Sequence, residues 1–262
     1  MVIEIKGREE LMSFLARDPR LSVYFIGDLD SRYFEKCQWF ALKDLNNKII
    51  SLILLYHHPK VATILSIGEP EGVKEIIEKK KNVWPAKFHS HICLDHVSIF
   101  EKHYRLSDKT NVLRMIKEKE AMEVFPPEQN YKQVIKLTDN HREQIYDILK
   151  DLPENFFTLE DLKSNYYFGI FHESKLVTMS GVQVVSEKFK VAALGNIVTK
   201  KNYRRQNYST ICTEYLIKEL LKVVDIVSLN VVSDNFGAID MYKKLGFHIH
   251  SKLLLTFCDR ND

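Results

Sequence analysis

The chain has 262 residues, 45% of them hydrophobic and 28% charged, with a formal net charge of +3. That is length enough for one large domain or two ordinary ones and apolar content enough for packed cores, while so small a charge does not by itself argue for nucleic acid. The longest apolar run, around Ile49 to Tyr56, is too short to span a bilayer.

Read in chain order, Ile3–Ile5 predicts a strand and Leu11–Leu15 a helix. Phe40–Leu42 and Ile49–Tyr56 predict strands that bracket Asn46-Asn47, a hairpin turn pair. Val61–Ile67 continues as strand, Val73–Lys80 as helix, and Phe88–Leu94, Val97–Tyr104 and Val112–Ile116 as strand, helix and strand. Pro126-Pro127 then breaks the pattern. Beyond it, Tyr131–Leu137 predicts a strand and the stretch after Thr138/Asp139 a helix through Ile145, Ile148 and Leu149. Leu159–Asn165 reads as helical, and Tyr167–Phe171, Leu176–Val185 and Phe189–Thr199 as strands. A helix over Tyr208–Val223, a strand over 226–232, a helix from Asn235 to Leu245 and a closing pair of strands through Phe257 complete the chain.

The two halves thus repeat one order of elements, which predicts an α/β (α+β) fold of two mixed-sheet units with flanking helices, divided as residues 1–125 and 126–262. Four scattered cysteines (Cys37, Cys93, Cys212, Cys258) form no C-x-x-C pair and read as free thiols of a reducing compartment. With no basic region followed by an apolar signal segment at the start, the expected location is the cytoplasm, without membrane attachment.

The halves differ after their third long strand. The second has Asn196-Ile197-Val198-Thr199, then Lys200, Lys201, Arg204 and Arg205, then a helix whose apolar stripe is Tyr208, Ile211, Cys212, Tyr215, Leu216 and Leu220. The free N–H groups of a helix start, with cations around them, are what an anionic phosphate ligand needs. A basic solvated loop would have the same composition. The first half has Gly68-Glu-Pro-Glu-Gly72 there, where carboxylates repel a diphosphate. Residues 1–120 are therefore expected to be structural, or to shape a substrate cleft or a dimer contact. Some 30 residues after the basic turn comes Asn235-Phe-Gly-Ala238-x-x-x-Tyr242-x-x-x-Gly246-Phe247, in which Asn235 can cap the helix and Gly246 can end it.

These two segments, in this order and spacing, resemble the cofactor-binding core of the GNAT superfamily of N-acetyltransferases. The family pattern Arg/Gln-x-x-Gly-x-Gly/Ala is matched by Arg204-x-x-Asn207-x-Ser209, with Tyr203 ahead of it. The resemblance covers the second half with its motifs, and the first, degenerate copy in order of elements only. It implies an acetyl-CoA-dependent N-acetyltransferase acting by direct attack of an amine. The amides around Arg205, Gln206, Asn207, Tyr208, Ser209 and Thr210 would hold the diphosphate of coenzyme A. Ile197 to Thr199, with Asn196 before them, would line the pantetheine arm, Asn235 and Ala238 would lie beside it, and Tyr242 would be the general acid. Asn207 departs from the family glycine, and Asn is the residue other than glycine best suited to the left-handed conformation. The acceptor would be an amine on a small molecule or peptide. An alternative is a GNAT-like scaffold without cofactor.

For the base, the strand before the turn offers Gly195-Asn196 where many relatives carry a carboxylate, and Asn196 cannot abstract a proton. Glu154 and Glu160 are weak alternatives in the region that covers the acceptor, where Phe156 and Phe157 hint at an apolar wall. His89, His91 and Cys93 alternate on one strand, with His96 near, and could hold zinc. We read them as the wet face of a strand whose other face is Phe88, Ile92 and Leu94, and expect no metal.

Overall fold

The computed structural model describes residues 1–120, 125–152 and 155–261, and the chain divides into two compact units. The first comprises Met1–Arg114 with Val231–Phe236 and Ile249–Asp262, the second Met115–Asn230 with Gly237–His248. Each unit therefore takes residues from both sides of the cut expected after residue 125.

The elements are β1 (Val2–Glu4), α1 (Arg8–Leu15), α2 (Val23–Asp28), α3 (Ser31–Phe34), β2 (Cys37–Lys43), β3 (Ile49–Tyr56), β4 (Thr63–Gly68), α4 (Pro70–Lys80), β5 (Lys87–Cys93), α5 (Val97–Glu101) and β6 (Tyr104–Glu118). They continue as β7 (Val134–Lys136), α6 (Arg142–Leu149), β8 (Phe168–His172), β9 (Lys175–Ser186), β10 (Val191–Thr199), α7 (Tyr208–Leu221), β11 (Ile226–Val232), α8 (Phe236–Lys244) and β12 (His248–Arg260). Among the described residues, no helix is long and apolar enough to cross a membrane.

In the first unit β1, β2, β3 and β4 pair antiparallel in succession and β4 pairs parallel with β5. β12 then lies antiparallel on β5, from Leu253 opposite Cys93 to Asp259 opposite Lys87. The helix α4 starts on Pro70, whose missing N–H costs nothing at a helix start. It buries Val73, Ile76 and Ile77 against Ile53, Ile64 and Phe88 and ends on Lys79 and Lys80, where cations suit the helix dipole.

The second unit repeats this order. β7, β8, β9 and β10 pair antiparallel in succession, and β10 pairs parallel with β11. The β8–β9 hairpin turns through Glu173 and Ser174, both at positive φ (47° and 62°), the twist that a tight hairpin requires. Each unit is thus a mixed sheet flanked by helices, as the repeated order of elements predicts.

Some local expectations change. The closing pair of strands is one strand, β12, which continues without a break through Ser251 and Lys252. The strand expected from Tyr131 is reduced to Val134–Lys136, and Glu128–Tyr131 forms a short 3-10 turn instead. The helices α2 and α3 carry no periodic signal. In α2, Val23 to Gly27 are all buried, so no polar face marks a 3.6-residue repeat. The stripe of α7 is also rotated from the predicted one. Thr213, Ile217 and Leu221 join Cys212, Leu216 and Leu220 in the core, while Tyr208, Ile211 and Tyr215 lie at its edges.

Candidate active site

Pairing between β10 and β11 runs from Val191 opposite Ile226 to Ala193 opposite Ser228. β10 continues to Thr199 but stays with β9: Val198 pairs with Met179 and Thr199 with Thr178. The Thr178 hydroxyl donates to the Val198 carbonyl (3.0 Å) and lies 2.7 Å from Thr199 Oγ1. The two parallel strands therefore part after Ala193 and Ser228, leaving a fork. Ser228 is fully buried beside the last pair, and its hydroxyl has no hydrogen-bond partner among the described residues.

At the fork β10 carries a bulge. Gly195 faces Gly181 and Val198 faces Met179, so Asn196 and Ile197 together oppose Ser180. Asn196 sits in the left-handed region at φ 52°. Its side-chain N–H donates to the Tyr167 hydroxyl oxygen at 2.9 Å, and that hydroxyl donates to the Val182 carbonyl at 2.5 Å.

Past Thr199 the chain makes a short 3-10 turn, Lys201–Tyr203, before α7 begins. Arg205 (φ 61°) and Asn207 (φ 62°) both adopt the left-handed conformation. Asn207 occupies the helix cap position without a side-chain bond. Among the described residues, nothing accepts a hydrogen bond from the backbone N–H groups of Arg205, Gln206, Asn207, Tyr208, Ser209 or Thr210; the first bond of α7 is from Ile211 to Asn207. Six consecutive amides at a helix start are thus open, in a turn where Arg204 to Asn207 are exposed. They present donors and the positive end of a helix to an anion.

The four cations are not equivalent. Lys200 pairs with Asp147, whose carboxyl is held below its ordinary pKa by hydrogen bonds from Lys200 and Lys150. Arg204 Nε donates to the Thr199 carbonyl at 3.1 Å, which ties the turn to the end of β10. Lys201 and Arg205 are exposed and have no ion-pair partner among the described residues.

Tyr242 is in α8, within the same compact unit, 7% exposed, with its ring edge-on to Phe247 at 5.9 Å. Gly246 ends that helix at φ 87°, and a Cβ there would meet Lys117 Nζ at 2.8 Å. Ala238 is half-buried, while Asn235 is exposed, its backbone N–H bonded to the Val232 carbonyl. The structure thus brings together Asn196 to Thr199 with Arg204 to Thr210 at the mouth of the fork.

Other predicted residues fare differently. Phe157 is no acceptor wall: it is 2% exposed, packed edge-on to Tyr167 at 5.5 Å and Tyr146 at 6.0 Å, so it belongs to the core. Glu154 lies outside the described residues, and Glu160 is exposed at a 3-10 start. Tyr167 carries no functional signal of its own in the sequence. The clue to it was Gly181 in the middle of a strand, where a Cβ would sit 2.2 Å from the Tyr167 ring.

The matching place in the first unit is closed. Only Glu69 separates β4 from α4, its N–H bonds the Ile50 carbonyl, and its own carbonyl takes bonds from the N–H groups of Gly72 and Val73 and from the Ser51 hydroxyl. Gly68 (φ 106°) would place a Cβ 2.3 Å from the Ile50 carbonyl oxygen, so no amide loop like the one before α7 forms there.

The histidine strand of that unit is not wet. His89 is 2% exposed because β5 has β4 and β12 at its sides, whereas Leu94, expected inside, lies past the end of the strand and is 48% exposed. Donor atoms of Cys93, Asp95 and His96 lie within 4.8 Å of one another. Both His96 nitrogens are already engaged, Nδ1 with Ser66 Oγ and Nε2 with the Gly68 carbonyl, each at 3.0 Å.

A sequence model of the acetyltransferase (GNAT) family matches residues 134–247, which contain the fork, the open turn and Tyr242. Residues 134–247 thus carry the sequence pattern of the GNAT family. A search of curated proteins finds no match to the sequence. Among solved structures, a GNAT-family protein from Novosphingobium aromaticivorans aligns over 93% of this chain and 99% of its own, with a TM-score of 0.62 at 12% identity. A GCN5-related N-acetyltransferase from Sphaerobacter thermophilus aligns over 99% and 96%, with a TM-score of 0.59 at 14% identity. A tandem GNAT protein from the clavulanic acid biosynthesis pathway covers 100% of both chains, with a TM-score of 0.57 at 10% identity. At these identities the likeness is one of fold, and it extends the GNAT architecture to the first half.

Proposed function

We propose that the protein is an acetyl-CoA-dependent N-acetyltransferase whose site lies in the second half of the chain. The row of open amides from Arg205 to Thr210 at the start of α7 carries this reading. A diphosphate fits them: each donor is unspent, two left-handed residues curl the turn, and Lys201 and Arg205 flank it. The fork beside β10 suits an extended arm bearing amide groups, which would pair with Ile197 to Thr199.

Acetyl-CoA supplies an activated acyl group as its thioester. The chain's residues then have three tasks. The amides of Arg205 to Thr210 anchor the diphosphate. A backbone N–H at Ile197 or Val198, in the bulge, stabilises negative charge developing on the acetyl oxygen, the kind of donor whose loss costs about 10²–10³ in rate. The Tyr242 hydroxyl gives a proton to the departing thiolate, uphill by roughly 2 kcal/mol for ordinary pKa values of ~10 and ~8.5. The acceptor is an amine of a small molecule or peptide. A lysine-like amine (pKa ~10.4) needs about 4–5 kcal/mol to deprotonate at pH 7, so bulk water or a neutral amine completes the proton path. The closed β4–α4 turn leaves the first half without a second diphosphate site.

Calorimetric titration with acetyl-CoA tests the reading: heat at micromolar affinity is expected, and silence would favour a scaffold without cofactor. Arg204→Glu should weaken binding at least tenfold. Tyr242→Phe should instead keep the affinity and lower turnover at least tenfold, and unchanged turnover would remove Tyr242 from the chemistry.

A further inference from the structure

The bulge in β10 is held by a side chain that the sequence does not mark as functional. Tyr167 is 1% exposed. Its ring lies over Gly181, in the space a Cβ would fill, and stands edge-on to Phe157 at 5.5 Å. Its hydroxyl has one hydrogen, and the Val182 carbonyl, which can only accept, takes it at 2.5 Å. The Asn196 amide, 2.9 Å from the same oxygen, must then present its NH2 group to Tyr167 and not its carbonyl. The bond therefore has one direction, from β10 through the phenol to β9.

Asn196 is the residue whose φ of 52° makes the bulge. Left-handed backbone is unfavourable for a residue with a side chain and persists where the surroundings hold it. The torsions of Asn196 set the plane of the next peptide, and hence the direction of the Ile197 N–H. From this geometry we propose that Tyr167 is a positioning residue: through Asn196 it fixes the bulge peptide that receives the acetyl oxygen. The proposal rests on the transferase reading above. It also gives Asn196 a role that needs no proton abstraction, where a carboxylate base would otherwise be sought. Tyr167 touches no reacting atom; its effect passes through the backbone.

The test is isotope-edited infrared spectroscopy of the intact protein with acetyl-CoA carrying ¹³C at the acetyl carbonyl. In the wild type, binding should displace the thioester carbonyl band to lower frequency, the signature of a hydrogen bond to that oxygen. Tyr167→Phe keeps the ring and removes the hydroxyl. It should bind acetyl-CoA within about twofold of wild type, because the diphosphate amides are untouched, yet lose about half or more of the band displacement. Turnover should fall about tenfold, as expected for a misplaced group. Asn196→Gly keeps the left-handed backbone without the tether and should show the same loss; it decides the matter if Tyr167→Phe does not fold. A full displacement retained in the folded, loaded variants would overturn this inference and leave the transferase reading standing. So would a wild type that binds with no displacement. A wild type that does not bind acetyl-CoA sinks both.

Discussion

Asn207 and Arg205 stand where the family pattern has glycine or a small residue, and both adopt left-handed backbone, at φ 62° and 61°. A side chain in that region costs roughly 1–2 kcal/mol, less for Asn. The turn holds this shape because Tyr203 and Arg204 tie it to Lys200 and Thr199. A second residue has a pH signature. Burial pushes the Asp28 carboxyl up to about 8, against an ordinary value of ~3.9 in the unfolded chain. Folded Asp28 keeps its proton while the unfolded chain loses it. The folded state is therefore favoured at low pH, and stability declines as pH rises from about 4 towards 8. Because Asp28 keeps some exposure, we expect about 1–3 kcal/mol of the nominal effect. Asp28→Asn should gain that amount over wild type at pH 7.5 and almost nothing at pH 3, below the unfolded carboxyl's pKa, in paired urea titrations. An equal difference at both values would mean that Asp28 ionises freely in the fold.

Among the elements, α7 is the one on which the site depends. Its N-terminal amides are directed by the packing of its buried face, where Cys212, Leu216, Ile217 and Leu220 are at most 1% exposed. Thr213 adds a hydrogen bond between its hydroxyl and that of Ser180 at 2.9 Å. This explains why an exposed basic turn can offer a fixed row of donors. Asn207→Gly tests whether the shape or the side chain matters. It should leave the turn intact and hold or raise acetyl-CoA affinity, by up to severalfold, since glycine adopts φ 62° without cost and opens the approach to phosphate. A tenfold loss in calorimetry would show that the Asn207 side chain itself is needed. Much of this element is legible in the sequence: the cations, the helix start and the apolar stripe are all local patterns. The rotation of the stripe towards Thr213 is not, because a threonine reads as polar until its partner, Ser180 on β9, is known.

For the whole molecule, the chain's last strand pairs with its first half. β12 fills one side of β5 over Leu253 to Asp259, and β4 fills the other. A chain ending at Phe247 should therefore lose the first unit's order at β5 and expose a strand edge with Phe88, Ser90 and Ile92 buried in the full protein. Fast amide exchange from His89 to Cys93, or insolubility, is the expected outcome. Slow exchange at those amides would show that the first unit folds without β12.

Local sequence determined the repeated order of strands and helices, the hairpin turns, the basic turn before α7 and the glycine that ends α8, because each rests on periodicity or backbone preference within a few residues. Only the tertiary structure decided that β10 parts from β11 after Ala193, that Tyr167 reaches across β9 to Asn196, and that β12 returns to β5. Those are pairings between residues 29 to more than 150 positions apart. Whether they form depends on which edges and buried polar groups remain to be satisfied once the sheet has closed around them.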